Sequence, residues 1–447
     1  DDGFYLEAIR QQRREGFLWQ KLRAPRSFDY AVASNKPYNE QLTMGRFPFN
    51  DSEREAIATF VLGLVADPPV EKYVHQPDRR GRAIAEGRKV LDQYGCAECH
   101  TMELERWKFQ YDPEEFEDPF DMPDFDFVKP HVAAEELARS LETDRRGLGQ
   151  AEVVGMPRVD LEGDLLEDED DEGNPLYFFT LWEPAAINGQ IWTVGGAEVM
   201  ISQTQLVQRR PPRGGAYSRL LYPLAIEQAR AGGAAAIEME AWGFVPPPLV
   251  HEGEAIEPSW LFDYLLNPAP IRPAVALRMP KYQLSADDAG KLVDYFAAVS
   301  QADFPYTSSQ AGSLTEPSGA EPQRFDRFDR VMRLVIDRTT YCGKCHVIGD
   351  FSPGGDVQTI LAPDLEQVGR RLRPDYLRRW LANPKSVLPY TGMPVNFPPE
   401  GPPMGQELYQ GSSREQLDAV SQLLLNYDWY LRRRTSVRGW MEGGVVE

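Results

Sequence analysis

The sequence places all four of its cysteines in two copies of one pattern, Cys96-x-x-Cys99-His100 and Cys342-x-x-Cys345-His346. On a helical turn the spacing i, i+3, i+4 sets two sulfurs and an imidazole along one face. Thiols placed so can form thioethers to the two vinyl groups of a haem, and the adjacent histidine can become the proximal ligand of its iron. Competing chemistries fit less well. A zinc ribbon keeps its two C-x-x-C pairs roughly 15 to 20 residues apart, whereas most of the chain lies between these. A thioredoxin-like dithiol needs a strand before the motif and gives the histidines no role. A disulfide framework gives them none either, and a chain of 447 residues needs no staples. The residues therefore read as two covalent c-type haem sites.

Each motif follows a segment with helical apolar spacing. Val90, Leu91 and Tyr94 recur before the first, and Phe328, Val331, Leu334 and Val335 before the second. Downstream of His346 the chain reads "APDLEQVGRRLRPDYLRRWLANPKSVLPYTGMPVNF": a Pro-x-Leu turn, an amphipathic helix ending in Asn-Pro, then Met-Pro. This resembles the distal half of class I c-type cytochromes. The resemblance implies that the carbonyl of Pro363 orients His346 through its other ring nitrogen. It also implies that Met393 is the sixth ligand, its soft thioether favouring reduced iron.

No such half follows Cys96, but an internal repeat supplies one. Residues 247–268, "PPLVHEGEAIEPSWLFDYLLNP", match residues 363–384, "PDLEQVGRRLRPDYLRRWLANP", without a gap. Pro247 meets Pro363, Leu249 meets Leu365, Pro258 meets Pro374, and Asn267-Pro268 meets Asn383-Pro384. Met279-Pro280 then parallels Met393-Pro394, and Ser285 is an N-cap opening an amphipathic helix through Leu292 and Phe296. The first haem domain is thus split, with Pro247 in the turn and Met279 as sixth ligand. Two Met-Pro pairs inside the insertion compete. Met156 has the better distance from His100 and Met122 lies too near it in sequence, but the matched block favours Met279 over both, the remaining alternatives being a histidine or an open iron. His75 reads as a surface residue of a Pro-containing linker and His131 as a residue near a helix cap. His251 falls in the repeat opposite Gln367, which is no ligand.

The pattern recurs once more at the start of the chain. "GFLWQKLRAP", residues 16–25, resembles "SWLFDYLLNP", and "LTMGRFPFNDSEREAIATFVLGL", residues 42–64, resembles the segment from Met279 to Phe296. Here Phe4 replaces the turn proline and Gly45 the proline after Met44. Either this half-domain is a haemless scaffold, the reading preferred for this chain alone, or another polypeptide supplies the proximal half and Met44 completes a shared third site.

The insertion itself is not cytochrome-like. An acidic, aromatic loop precedes a helix near 132–144, and "LYFFTLWEPAAING" and "QIWTVGGAEVMI" read as strands joined by the hairpin signal Asn188-Gly189, with a further helix near 217–231. The acidic run at 160–174 lacks the ligand spacing of an EF-hand and reads as a solvated hairpin tip. No nucleophile with a base, and no cysteine or histidine cluster, is visible in it. The net charge of −21 argues against nucleic acid and for a basic protein partner. No apolar run approaches the roughly 20 residues of a membrane span. No basic, apolar signal peptide opens the sequence, which fits either a processed chain or one that never had a signal.

The expected fold is mainly α. It comprises a truncated cytochrome c-like half-domain at 1–66, a first cytochrome c domain split into 67–101 and 246–304, and an α+β insert at 102–245 with a β-hairpin. A linker at 305–323 and a second cytochrome c domain at 324–447 follow. The resemblance extends more weakly to the large multi-domain cytochromes c of bacterial respiratory complexes. It implies a periplasmic or otherwise extracytoplasmic dihaem electron carrier with His100/Met279 and His346/Met393 on its irons, serving redox protein partners, a membrane respiratory complex or another haem-bearing chain at residues 1–65. Two other readings stay open: a peroxidase-like dihaem enzyme with one open iron, and a docking subunit whose haems are a relay.

Overall fold

The computed structural model describes residues 2–28, 44–64, 76–114, 116, 132–160, 164–196, 198–234, 237–272, 275, 277–300, 321–336, 342–353, 362–401, 403, 405–434 and 436–438. His75, Met122, His131 and most of the 305–323 linker lie outside them. The chain divides into two compact units, Asp1–Gln76 and Pro77–Glu447.

The first unit holds α1 (Asp2–Arg10), α2 (Arg14–Arg23) and α3 (Asp51–Gly63). Tyr5 stacks on the buried Trp19 with ring centroids 5.0 Å apart. Asn50 starts α3 through a capping box with Glu53, which satisfies two backbone donors at once.

In the second unit α4 (Arg79–Tyr94) ends at Gly95, whose φ of 66° is a left-handed cap that glycine adopts without steric cost. The one-turn helix α5 (Cys96–Cys99) follows immediately. The chain then leaves on strands β1 (Thr101–Glu103) and β2 (Glu105–Tyr111), and passes through α6 (Ala134–Arg139) and β3 (Gly149–Pro157). Next come β4 (Glu167–Glu169), β5 (Pro175–Leu181), β6 (Ala185–Ile187), β7 (Gln190–Trp192), β8 (Val199–Ser202), β9 (Leu206–Arg210) and β10 (Arg213–Gly214). Six of these strands form one antiparallel sheet in the order β4-β5-β3-β2-β9, with β8 also on β5. Alternation puts Trp107, Phe109 and Tyr111 of β2 on one face, where they share a buried core with Val153, Phe179 and Ile201.

This sheet overturns the mainly α expectation. The chain is 48% helical with 15% strand, and its sheet is curled and antiparallel, so the whole is α+β rather than two cytochrome c domains with a hairpin added. Asn188 and Gly189, with φ of 52° and 75°, do form a tight turn, but it closes only the small β6-β7 ribbon. The larger sheet is assembled from strands far apart in sequence, such as Trp107 opposite Arg209. The acidic run lies partly on β4, which pairs with β5, and on the turn after it, where Asp170 accepts from Asn174 and from Ser202.

Helices α7 (Ala216–Ala231) and α8 (Ile237–Phe244) close the insertion. Beyond it come α9 (Glu252–Ala255), α10 (Pro258–Leu266) and α11 (Ala286–Val299), then α12 (Glu321–Val335), α13 (Val368–Arg371), α14 (Pro374–Ala382), α15 (Ser413–Leu425) and α16 (Tyr427–Leu431). The repeated sequence makes repeated structure: α9 and α10 occupy the same positions of the repeat as α13 and α14. Even the capping residues Asn267 (φ −146°, ψ 77°) and Asn383 (φ −146°, ψ 90°) agree.

The two copies meet about a local pseudo-two-fold axis. Ile256 bridges Leu372 antiparallel, Glu257 N–H donates to Arg371 O (2.8 Å), and Arg373 N–H donates to Ala255 O (2.9 Å). Each bond maps onto the other when the copies are exchanged. Arg379 pairs with Glu254 at 2.8 Å across the same contact. Among the described residues no helix is long and apolar enough to cross a membrane.

Candidate functional site

Each C-x-x-C-H motif is one turn of helix closed by its own backbone. His100 N–H donates to Cys96 O (3.0 Å) and His346 N–H to Cys342 O (2.8 Å). That turn is what brings two thiols and an imidazole together in each copy. None of the four cysteines is in a disulfide. Burial pushes the Cys342 thiol up to about 12 and raises Cys96 as well. Thiols held protonated in this way are unlike the acidic thiolate of a redox dithiol.

Both imidazoles are fixed through one ring nitrogen. His100 Nδ1 lies 2.7 Å from Pro247 O, and His346 Nδ1 lies 2.7 Å from Pro363 O. A carbonyl only accepts, so each Nδ1 carries the proton and each Nε2 keeps its lone pair. Burial lowers both histidine pKa values, outweighing the upward pull of the carbonyl bond, and so favours the neutral, ligating form.

The first of these contacts spans the insertion. Leu249 N–H donates to Thr101 O (2.9 Å) beside it, and Ser218 Oγ sits 2.7 Å from Cys99 O and 2.8 Å from Pro246 O. Ser218 and these bonds latch the neck where the chain leaves after His100 and returns at Pro247.

Met279 packs on the cluster that contains Val90, Leu91, Leu261 and Leu292, together with Cys96 and Leu249. Met393 packs on the cluster that contains Phe328, Leu365 and Leu377, together with Cys342. The Met393 sulfur accepts a hydrogen bond from Trp380 Nε1 at 3.0 Å. Met156 lies elsewhere: on β3 it pairs with Thr180 and packs among Trp182, Trp242 and Val154. His251 immediately precedes α9, where its carbonyl accepts from Glu254 and Ala255. Met44 belongs to the first unit, half-buried.

Three residues at these sites escaped sequence reasoning: Trp380, Ser218 and Arg371. Trp380 had a signal, because the repeat places Tyr264, another aromatic with a polar hydrogen, at its equivalent position. Ser218 had none. Arg371 comes from the second copy but lies over the Trp260 ring of the first, 5.3 Å from its centroid, and its Nε is buried with no hydrogen-bond partner. Burial lowers its pKa, and Glu252 and the tyrosines Tyr264 and Tyr376 are its electrostatic neighbours.

A haem fits this set of residues. It needs two thiols, a neutral imidazole and a soft second ligand, and each site brings these residue types together. Among the described residues no group of three or more His, Cys, Asp or Glu could itself hold a metal ion. Compared with protein families, with characterised proteins and with solved structures, the chain matches none.

Proposed function

We propose that the chain is an extracytoplasmic dihaem electron carrier. In this reading Cys96 and Cys99 attach one haem and Cys342 and Cys345 the other, with His100/Met279 and His346/Met393 as axial pairs. The observation that carries the reading is the paired contact of His100 with Pro247 and His346 with Pro363, each at 2.7 Å, in two copies of one repeat. Such a bond fixes the ring, sets the tautomer and leaves Nε2 as the only free donor. Bound haem supplies a one-electron couple. The protein's part is to hold each histidine neutral, to bring a thioether within the same apolar cluster as the cysteines, and to keep water from the metal. A methionine at each site leaves no position for a substrate, which favours electron transfer over a peroxidase-like reaction. The acidic surface, at net charge −21, suits a basic redox partner.

Intact mass tests this directly. The mature chain should carry two covalent haems; Cys96→Ser with Cys99→Ser should remove one, and Cys342→Ser with Cys345→Ser the other. A chain of bare polypeptide mass isolated from a host able to attach haem would reject the reading.

One observation favours a docking role in addition. Asn50 caps α3 as Ser285 caps α11, and each follows a methionine, Met44 or Met279, at the same interval. On α11 the faces of Tyr295 and Phe296 are each 3% exposed, covered by α4, whereas their counterparts Phe60 and Val61 on α3 are 68% and 40% exposed. An apolar face of this kind marks an interaction surface. Phe60→Asp should abolish recovery of a partner chain bearing C-x-x-C-H while this chain keeps its two haems; unchanged recovery would reject the docking role.

A further inference from the structure

We propose that the inserted domain fixes the ligand loop of the second centre, with Trp242 and Tyr390 as positioning residues for Met393; this rests on reading Met393 as an axial ligand. From Val387 to Met393 the chain has no helix or strand of its own, so something else must hold the loop in place. Its grip comes from the insertion. The Tyr390 ring stacks on Trp242 of α8 (4.9 Å between centroids, 18° between planes) and leans on Trp182 after β5 (5.3 Å). Trp182 and Trp242 meet edge to face at 5.7 Å, and Tyr222 of α7 backs Trp242 at 4.7 Å. Leu388 and Tyr390 thereby join a buried cluster otherwise built from residues 104–250. The Tyr390 ring is half-buried in this cluster, and desolvation pushes its hydroxyl up to about 12.

The contact reaches the residue next to the ligand. A Cβ on Gly392 would lie 2.2 Å from the sulfur of the flexible, half-buried Met239 side chain, so α8 lies directly beside the residue next to Met393. A Cβ on Gly195, in the loop after β7, would likewise lie 2.8 Å from Lys385. Met393 is thus held from two sides, by Trp380 at its sulfur and by the insertion along its approach. The same cluster includes Leu104, shortly after His100, so the element spliced into the first centre braces the second. Met156 is part of this brace's packing.

The test uses the holoprotein in a Met279→Ala background, where the only sulfur-ligated iron is the second. Adding Trp242→Leu should weaken the sulfur-to-iron absorption and speed displacement of Met393 by imidazole roughly tenfold, the scale expected when contacting residues lose their coupling. Trp242→Phe, which keeps an aromatic face for Tyr390, should restore slow displacement. Tyr390→Leu, which removes the loop's own ring from Trp242 and Trp182, should act like Trp242→Leu and covers the case in which the tryptophan variant folds poorly. Two attached haems with unchanged absorption and displacement in both disruptive variants would overturn the proposal. A chain carrying no covalent haem would instead overturn the site reading beneath it.

Discussion

Replacing Met393 with alanine should leave both haems attached, remove sulfur ligation from one iron only, and lower the midpoint potential of that centre while the other keeps its value. A thioether stabilises the ferrous state, so its loss favours ferric iron. Axial ligands set haem potentials over roughly 0.8 V, and exchanging methionine for water or hydroxide should cover an appreciable part of that range, on the order of tenths of a volt. Met279→Ala should do the same at the first centre. The two effects should add to within the coupling carried by Leu372, which packs on both clusters, because Met279 belongs to one cluster and Met393 to the other. A potentiometric titration followed by absorbance resolves the two steps. Two unshifted centres in Met279→Ala would remove Met279 from the iron. Trp380→Phe should shift the second centre in the same direction as Met393→Ala but less, since it removes only a hydrogen bond to the sulfur.

The parts legible in the sequence were those whose determinants are local or repeated. C-x-x-C-H is one helical turn, and the repeat carries its Pro-x-Leu turn, its helix and its Asn-Pro end together, so that Pro247 and Pro363 are matched by the sequence alone. The sheet was not legible as a whole. Its strands are short, and pairs such as Trp107 with Arg209 and Phe179 with Val199 are decided by distant neighbours rather than by local preference. The alternation of "ERWKFQY" is a local strand signal, but only its pairing with β3 and β9 makes it the centre of a sheet. The pseudo-two-fold contact at Ile256 and Leu372, the seat of Arg371 over Trp260 and the grip on Tyr390 are tertiary. Each depends on where a residue from one copy or from the insertion lands on the other, which no periodicity encodes.

Gly87→Ala should destabilise the protein and loosen the first centre specifically. Gly87 lies on α4, ahead of the first motif, and Tyr295 lies on α11, beyond the insertion, so their contact joins the two separated halves of that centre. A Cβ on Gly87 would sit 2.2 Å from Tyr295 Cβ and 3.0 Å from Lys291 O. Neither neighbour can swing aside. Tyr295 Cβ is fixed to its helix and its ring is buried, so α4 and α11 must separate. Overpacking of this kind costs about 1–3 kcal/mol. The opposing gain, alanine's better helix propensity, is about 0.5–1 kcal/mol, so the clash wins. Gly290→Ala provides the control within the same helix pair. It is the same substitution on α11, but nothing lies within 4 Å of its Cβ, and it should stabilise by about 0.5–1 kcal/mol. Thermal unfolding of the two variants should therefore move in opposite directions. Displacing α4 also moves Cys96 and His100 away from Met279, so Gly87→Ala should weaken sulfur ligation at the first iron and spare the second. A Gly87→Ala protein that gains stability as Gly290→Ala does would show that α4 and α11 are not packed at this contact, and with it that the two halves of the first centre are joined in some other way.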